Sequence, residues 1–478
     1  MEPVEGHSNK HAAAAVFSVM SVLYFFSILH RVGIAVISFD IMAEFETDAS
    51  LLGLMSSAYF FPYAAAQLPV GILLDRVGVR KTVVSMAAVA CIGSLAFSTG
   101  SSLLALSVGR ALVGFGVGGF YISALKAIAI WFSPRRFATL AGLLTSLGNV
   151  GGIVATSPLA LLTLWIGWRG TFLAITGLMA AFAASAWFAI SKEEGDSFRS
   201  GSSVRADLRE VFAKRDFLVL ALIPFFVYGF FISFQGLWGG PFLMDVYGMD
   251  KSAAGLFLMF IAFGFTIAGP TGGLVSDRFL GRRKPVMVSG IAIGLAFWST
   301  LALLGDSMGG IFIATAFFLL GFGFGFANIY MTISKELFDS RISGTAMASI
   351  NLFNFMGAGF FQYFMGFLLD SLESGARTFP AYQGVFFMCV VFMILSLVLG
   401  ILSKETFGGY GARAEPPPSR KDTVQPAAAS RDKKPSWAPF LRLLSKHNFD
   451  WQDSSQHPFA PAKPDVAAAS MSALAKSS

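Results

Sequence analysis

Charged residues are scarce in this 478-residue chain. Asp, Glu, Lys and Arg make up 13% of the sequence, whereas a soluble domain carries about a quarter. So few charges cannot cover a water-facing surface, and 55% of the residues are hydrophobic, with a mean hydropathy of +0.66. The shortage argues against an ordinary soluble protein, and the clustering of the basic residues in short segments between apolar runs argues against nucleic-acid binding. It indicates that lipid is the main solvent.

Residues that carry catalysis or bind metals are also few. The two cysteines, Cys91 and Cys389, lie inside apolar runs and are best interpreted as inert buried thiols. None of the five histidines stands at metal-ligand spacing from a cysteine or an acid, and the chain has no Walker-type phosphate loop. The sequence therefore predicts no catalytic set, no metal site and no cofactor. ATP is not expected to drive its activity.

Long apolar runs dominate what remains. A membrane-spanning helix needs about 20 mainly apolar residues. Twelve such runs are found, and they predict an all-α membrane protein with twelve transmembrane helices in two pseudo-symmetric six-helix bundles. They are 13–39, 49–74, 82–100, 103–132, 138–163, 168–190, 217–244, 252–275, 286–305, 309–335, 343–369 and 379–403.

The spacing of these runs also predicts the domain organisation. We expect an N-terminal bundle over 1–190, a cytoplasmic linker over 191–216 and a C-terminal bundle over 217–404. Residues 405–478 are rich in Pro, Ala, Ser and charge, which is typical of a disordered basic tail. Within this tail, 437–449 has the apolar content of a short interfacial helix, although an unstructured segment is the favoured interpretation.

Basic residues in the loops predict the orientation. Loops on one side carry most of the arginines and lysines, whereas the other side carries only Arg169, Lys251 and Arg377, together with an acidic first loop. Because cytoplasmic loops are enriched in Lys and Arg, both termini are predicted to be cytoplasmic. In a bacterium this would place the protein in the inner membrane.

One loop sequence occurs twice. The segment 71–81, GILLDRVGVRK, follows the second predicted helix, and 273–284, GLVSDRFLGRRK, follows the eighth. Plain charge asymmetry would explain one copy, but two copies at matching positions favour gating loops in two related halves, with basic residues that bridge the halves. The predicted gating residues are Gly71, Asp75, Arg76, Gly78, Arg80, Lys81, Gly273, Asp277, Arg278, Arg282, Arg283, Glu336 and Arg341.

On these residues, the sequence resembles the major facilitator superfamily over roughly 12–404. The loop 71–81 matches the superfamily signature, and a second signature is matched by Arg110 with Gly114, Gly116 and Gly118 in the fourth helix. The fifth helix lacks the Gly-Pro pair of antiporters, which counts against drug or proton antiport. The resemblance implies a secondary transporter with alternating access, a monomer, and a path between the two halves.

Charges inside the membrane are the best sequence evidence for a substrate site. An arginine there costs about 2.5–3.5 kcal/mol on insertion scales. Arg31 and Arg110 fall at comparable depth in the first and fourth helices, so together they could clamp a carboxylate or phosphate. The resemblance also implies a packing or proton-coupling role for Arg110, and arginines in the first helix are found in organic-anion branches. His30 is a candidate proton-coupling group, although a packed neutral histidine is equally compatible.

Further polar and aromatic residues inside the predicted helices are candidates for the lining of the path. In the seventh helix, the Gly239–Gly240–Pro241 sequence predicts a bend next to the candidate residues. Each residue, taken singly, is as well explained by a hydrogen bond between helices. These candidates are Tyr63, Gln67, Tyr228, Gln235, Trp238, Asn328, Asn351 and Asn354.

Three functions are compatible with these patterns. The favoured one is a secondary transporter of a small organic anion, coupled to protons or another ion. An exporter of drugs or siderophores would also suit the many phenylalanines, although lipid-facing phenylalanines explain them equally well. The long basic tail would suit a sensor or assembly factor that retains the transporter fold without transport.

Overall fold

The computed structural model describes residues 7–190, 204–339, 342–372 and 378–407, all within one compact unit, Met1–Ala414. The regular structure in these ranges is helical. Residues 7–190 are called the N-terminal half below, and residues 204–407 the C-terminal half.

The N-terminal half contains eight helices, some of them separated by only one or two residues. They are α1 (His7–Val32), α2 (Ile34–Phe45), α3 (Ala49–Ser57), α4 (Phe60–Thr99), α5 (Leu103–Val117), α6 (Phe120–Trp131), α7 (Pro134–Val154) and α8 (Ser157–Ala189). Gly78 in α4 and Gly167 in α8 adopt positive φ angles of 81° and 69°, so each of these helices is sharply bent there.

The described part of the C-terminal half contains nine α-helices and two π-helical turns, Phe234–Trp238 and Val275–Leu280. The helices are α9 (Val204–Ala213), α10 (Arg215–Ser233), α11 (Gly239–Tyr247), α12 (Lys251–Leu274), α13 (Lys284–Leu304), α14 (Gly310–Ala327), α15 (Tyr330–Glu336), α16 (Ser343–Leu372) and α17 (Phe379–Leu402).

The predicted all-helical membrane fold is confirmed. All twelve predicted segments fall on helix, once α4 and α8 are divided at their bent glycines. Among the described residues, ten helical runs are long and apolar enough to cross a membrane, and Thr139–Val154 is a shorter apolar helix. The other segment, 49–74, is interrupted between α3 and α4.

Several other membrane segments are interrupted. The first breaks at Gly33, the fourth at Gly118–Gly119, the seventh at the π-helical turn Phe234–Trp238, and the tenth at Asn328–Ile329. In the seventh segment the irregularity precedes the predicted Gly239–Pro241 bend. The N–H of Gly239 bonds to the carbonyl of Phe234, five residues back, as in a π-helix. Pro241, two residues later, has no N–H with which to continue the α-helical pattern.

The loops divide between two ends of the helix bundle. We call the end with Asp40, Asp48, Arg169, Lys251 and Asp370 the acidic end, and the end with residues 78–81, 133–136, 281–284 and 404–407 the basic end. At the acidic end Lys251 forms an ion pair with Asp40 of the other half. This contact joins α12 to α2.

Glycines permit close approach of the halves at the acidic end. A Cβ atom on Gly53 of α3 would lie 2.5 Å from the carbonyl oxygen of Gln362 in α16. A Cβ atom on Gly240 would lie 2.5 Å from the carbonyl oxygen of Ala35, and one on Gly255 would lie 2.9 Å from the nitrogen of Ser157. A real Cβ is essentially never found so close, so the contacts depend on glycine.

The same helices are not in close contact at their other ends. Gly71 follows Gly53 by 18 residues along α3 and α4, and Gly344 precedes Gln362 by 18 in α16. Within the described part of the chain, no atom lies within 4 Å of a Cβ built on either glycine. The two matching positions of this antiparallel pair are therefore apart at the basic end.

Two stretches predicted outside the bundles contact the C-terminal half. In the predicted linker, the Nζ of Lys214 donates a 3.2 Å hydrogen bond to the carbonyl of Leu337, and the ring of Phe212 contacts that of Phe353. At the start of the predicted tail, Glu405 and Thr406 contact α13 and α15. The structure does not describe 408–478, including the possible helix over 437–449.

Candidate substrate site and gate

Arg31 lies at the end of α1, next to the break at Gly33, and only 9% of its surface is exposed. Its guanidinium carbon is 5.1 Å from the ring centre of Tyr63 and 5.0 Å from that of Phe355. Its Nη1 donates a long hydrogen bond of 3.4 Å to the hydroxyl of Tyr228. Tyr63 belongs to the N-terminal half, and Phe355 and Tyr228 to the C-terminal half, so the guanidinium lies between the two.

Among the described residues, Arg31 has no anionic partner. Its Nε makes no hydrogen bond within the described part of the chain, and no carboxylate pairs with the guanidinium there. The sequence explains this, because the helical stretches 49–74, 103–132, 217–244, 251–276, 310–335 and 343–369 contain no Asp or Glu. The aromatic contacts compensate the cation only in part, since each provides roughly 0.5–2 kcal/mol.

Arg110, the second predicted guanidinium, holds the backbone of α1. Its Nη1 donates a 2.6 Å hydrogen bond to the carbonyl of His30, and its guanidinium carbon is 4.7 Å from the ring centre of Tyr59. Its Nε and Nη2 have no partner among the described residues. In this conformation Arg110 supports the segment that carries Arg31, and the expected bidentate clamp by both arginines stays a prediction.

His30 precedes Arg31 and is almost fully buried. Its ring lies 5.7 Å from that of Phe172, and its Nε2 has no hydrogen-bond partner within the described residues. The imidazole thus packs against α8 within the N-terminal half, next in sequence to the predicted anion-binding arginine.

The irregular turn that carries Gln235 and Trp238 lies beside the backbone of Arg31. Gln235 and Trp238 are in the π-helical turn, where a Cβ on Gly236 would lie 3.3 Å from the carbonyl oxygen of Arg31. The indole N–H of Trp238 donates a 3.0 Å hydrogen bond to the carbonyl of Gln362. The irregular turn therefore allows the seventh segment to approach the break in the first.

The predicted amides serve mainly to join helices. The Nε2 of Gln67 donates to the carbonyl of Gly118 at 3.0 Å, across the break in the fourth segment. Asn354 accepts a 2.9 Å hydrogen bond from the hydroxyl of Tyr330 and donates weakly to Asn351 at 3.4 Å. Asn328 caps the C-terminal end of α14 at the break in the tenth segment.

Several residues of this region were not among the predicted site residues. Phe355 contacts Arg31, yet it is an aromatic residue in an apolar run with nothing in the sequence to distinguish it, whereas Tyr59, which contacts Arg110, accompanies Tyr63 and Gln67 in the second helix. The side chain of Gln362 is fully buried, with neither polar atom bonded in the described part of the chain. In the sequence, only its polarity within an apolar run distinguishes Gln362 as a candidate.

The second repeated loop forms a network at the basic end. Arg283 pairs with Asp277, and its Nε and Nη2 lie 3.2 and 3.1 Å from Glu336. Thr406 donates a 2.6 Å hydrogen bond to the other oxygen of Glu336. All of these partners belong to the C-terminal half, so Arg283 does not bridge the halves here as expected of the gating residues.

Of the other predicted gating residues, some are partly buried and some are exposed. Arg80 stacks on Trp187, with its guanidinium carbon 3.9 Å from the ring centre, and Gly78 forms the bend of the first loop. Arg341 and the side chain of Asp75 lie outside the described residues, and Gly273 has open space at its Cβ position among the described atoms. The exposed basic residues are Arg76, Lys81, Arg278 and Arg282.

Glu405 caps the start of α13. One carboxylate oxygen accepts from the N–H of Arg283 at 2.9 Å, and the other from the N–H of Lys284 at 3.1 Å. The N–H groups of Thr406 and Phe407 add two more bonds. Partial burial raises the pKa of this carboxyl, but the four donated bonds outweigh it and hold the pKa below its ordinary value.

Comparison with known families supports a transporter. The model of the family described as Major Facilitator Superfamily matches residues 20–360 and 240–462. Among similar proteins, an uncharacterized transporter of Bacillus subtilis is 28% identical, over 82% of this chain and 94% of its own length. A probable sulfoacetate transporter of Cupriavidus necator is 25% identical, over 64% of this chain and 76% of its own.

A probable L-galactonate transporter of Escherichia coli is also similar, with 25% identity over 75% of this chain and 84% of its own length. Among solved structures, a D-xylose-proton symporter has a TM-score of 0.69, with 13% identity over 83% of this chain and 98% of that one. At that identity the likeness concerns the fold alone.

The Glu405 cap yields a prediction about pH. Because the folded-state pKa is below the unfolded one, the stabilisation is complete above about pH 4.3 and is lost as the pH falls through the folded value. Glu405→Gln should lower stability by about 1 kcal/mol at pH 7, as for a lost helix cap. Thermal unfolding of the purified protein from pH 7.5 to 3.5 should show the difference shrinking in acid. Exposed Glu46→Gln is the control, and a Glu405→Gln deficit that grows in acid would contradict the assignment.

Proposed function

Because the chain belongs to the Major Facilitator Superfamily, we propose that it is a secondary transporter that carries a small organic anion by alternating access, with Arg31 as the anion-binding residue. The observation that carries the proposal is the buried guanidinium between the two halves, without a carboxylate partner among the described residues. A buried cation is costly, and a bound anion offsets that cost by charge-assisted hydrogen bonds.

The names of two relatives agree with this substrate class, because sulfoacetate and galactonate are both organic anions. The contacts of Arg31 also suggest how binding is coupled to movement. In this conformation the guanidinium contacts Tyr228 and Phe355 of the C-terminal half. An anion that binds the same guanidinium competes with these contacts. Binding of the anion would therefore change how the two halves pack against each other.

We further propose that protons are the coupling ions and that His30 carries them. His30 is adjacent to Arg31, and its carbonyl is held by Arg110. Since the interior stretches of the helices around the site have no Asp or Glu, a histidine is the natural titratable group there. The basic end would face the cytoplasm.

Alternating access requires closure of the basic end in a second conformation. The two halves of the chain would then form the two moving bundles. The open glycine positions at Gly71 and Gly344 suggest the contact that forms, because they repeat the antiparallel register of the glycine contact at the acidic end.

The anion site is tested by replacement of Arg31. Candidate anions, including sulfoacetate and galactonate, are first screened for thermal stabilisation of the purified protein, since a ligand of the folded state must stabilise it. With a stabilising anion, Arg31→Met should reduce proteoliposome uptake by about a hundredfold, as loss of a charged hydrogen bond implies, and Arg31→Lys should retain part of it. Exposed Arg209→Gln, outside the proposed site and the gating loops, is the control. Unchanged uptake by Arg31→Met would refute the site.

The proton assignment is tested with His30→Asn. If His30 carries the coupling proton, this variant should keep exchange of labelled for unlabelled anion but lose accumulation driven by a pH gradient. Both assays use the same proteoliposomes, so exchange serves as the internal control for folding. Full gradient-driven accumulation by His30→Asn would refute the role.

Closure of the basic end is tested with cysteines at Gly71 and Gly344 in a Cys91→Ala, Cys389→Ala background. A disulfide requires Cα atoms about 4.4–6.8 Å apart. We expect oxidation to cross-link the pair, to block uptake, and to be reversed by a reductant. A Gly142→Cys, Gly344→Cys pair, which lies outside the proposed contact, is the control. A pair that never cross-links while uptake proceeds would contradict the proposed closure.

A further inference from the structure

The N-terminal end of α3 is capped from both halves of the protein. Its own Asp48 accepts from the N–H of Leu51 at 2.8 Å. The N–H groups of Ala49 and Ser50 donate instead to Asp370, at 3.2 and 2.6 Å. The hydroxyl of Ser50 donates a further 2.6 Å bond to Asp370. Asp370 lies near the end of α16, so three of these four bonds cross between the halves.

Hydrogen bonds of this kind are stronger than those between neutral groups. A carboxylate that accepts from several donors at a helix start gains from charge-assisted hydrogen bonds and from the helix dipole. The neighbouring contacts place the bonds at the closed end, since Gly366 lets α16 approach the carbonyl of Ala49, and Gly53 lets α3 approach Gln362. The Asp40–Lys251 pair is on a different pair of helices.

We propose that Asp370 is a positioning residue that latches the acidic end shut and thereby biases the transporter towards the conformation described here. The inference rests on the proposed alternating access. When the acidic end opens, α3 and α16 must separate, and the N–H groups of Ala49 and Ser50 lose their acceptor. Water at the acidic end replaces it only in part, so opening carries an energetic cost that Asp48, on the same half as α3, does not contribute.

This argument separates two caps on one helix. Asp48→Asn and Asp370→Asn each weaken the start of α3, but only Asp370→Asn weakens a bond between the halves. A purely structural role would make the two variants alike. A latch makes only Asp370→Asn change the balance between conformations.

The experiment measures distances between spin labels on the full chain in lipid, in a Cys91→Ala, Cys389→Ala background. One label pair uses exposed Ser101 and Ser307 at the acidic end, and the other uses exposed Ser133 and Lys335 at the basic end. Each pair has one label on each half. We expect Asp370→Asn to raise the ratio of long to short acidic-end distances by roughly tenfold or more, and to shorten the basic-end distances.

Ser50→Ala removes one of the three crossing bonds and keeps both backbone bonds, so it should shift the same ratio by a smaller factor. If Asp370→Asn fails to fold, Ser50→Ala still tests the latch. The latch would be overturned if Asp48→Asn and Asp370→Asn shifted the distance ratio equally. It would also be overturned if neither Asp370→Asn nor Ser50→Ala shifted that ratio. The readout needs no substrate, so failure of anion uptake would refute the proposed substrate while leaving this result intact.

Discussion

The guanidinium of Arg31 is the group on which the centre of this protein depends. A cation removed from water must be compensated, and the helices around it supply rings and a tyrosine hydroxyl instead of a carboxylate. Those partners come from both halves, so the cation joins the halves, and on the proposed function an anion would be its stronger partner. A carboxylate at this position would satisfy the arginine permanently and remove the reason to bind an anion.

The breaks in the helices follow from the same requirement. Arg31 precedes the break at Gly33, and Arg110 bonds to the carbonyl of His30 near that break. The π-helical turn of the seventh segment brings Gly236 close to the carbonyl of Arg31. Irregular backbone in a membrane is stable only where it is buried in protein or lines a water-filled path, because its polar groups need partners. The interruptions in the first and seventh segments therefore lie where the halves meet.

Much of this architecture could be predicted from the sequence, because hydropathy and the positions of charges reflect the solvent directly. The twelve segments, the duplicated loop and the isolated position of Arg31 were all visible as patterns. The role of Asp370 was not, since its partners are backbone N–H groups more than 300 residues earlier in the chain. Phe355 was missed for a related reason: among 51 phenylalanines, contact with a cation leaves no mark on the sequence.

The contacts at the centre and at the acidic end have different consequences for transport. On the proposed mechanism, an anion competes for Arg31 and so acts on the central contacts with Tyr228 and Phe355, whereas the bonds of Asp370 lie at the acidic end and touch no substrate. A ligand shifts an equilibrium only by its differential affinity for the two states. The central contacts would therefore make movement depend on the substrate, while the latch sets the resting balance that the substrate must overcome. Loss of the latch would change that balance without changing which anion is chosen, because selection stays with Arg31 and its neighbours.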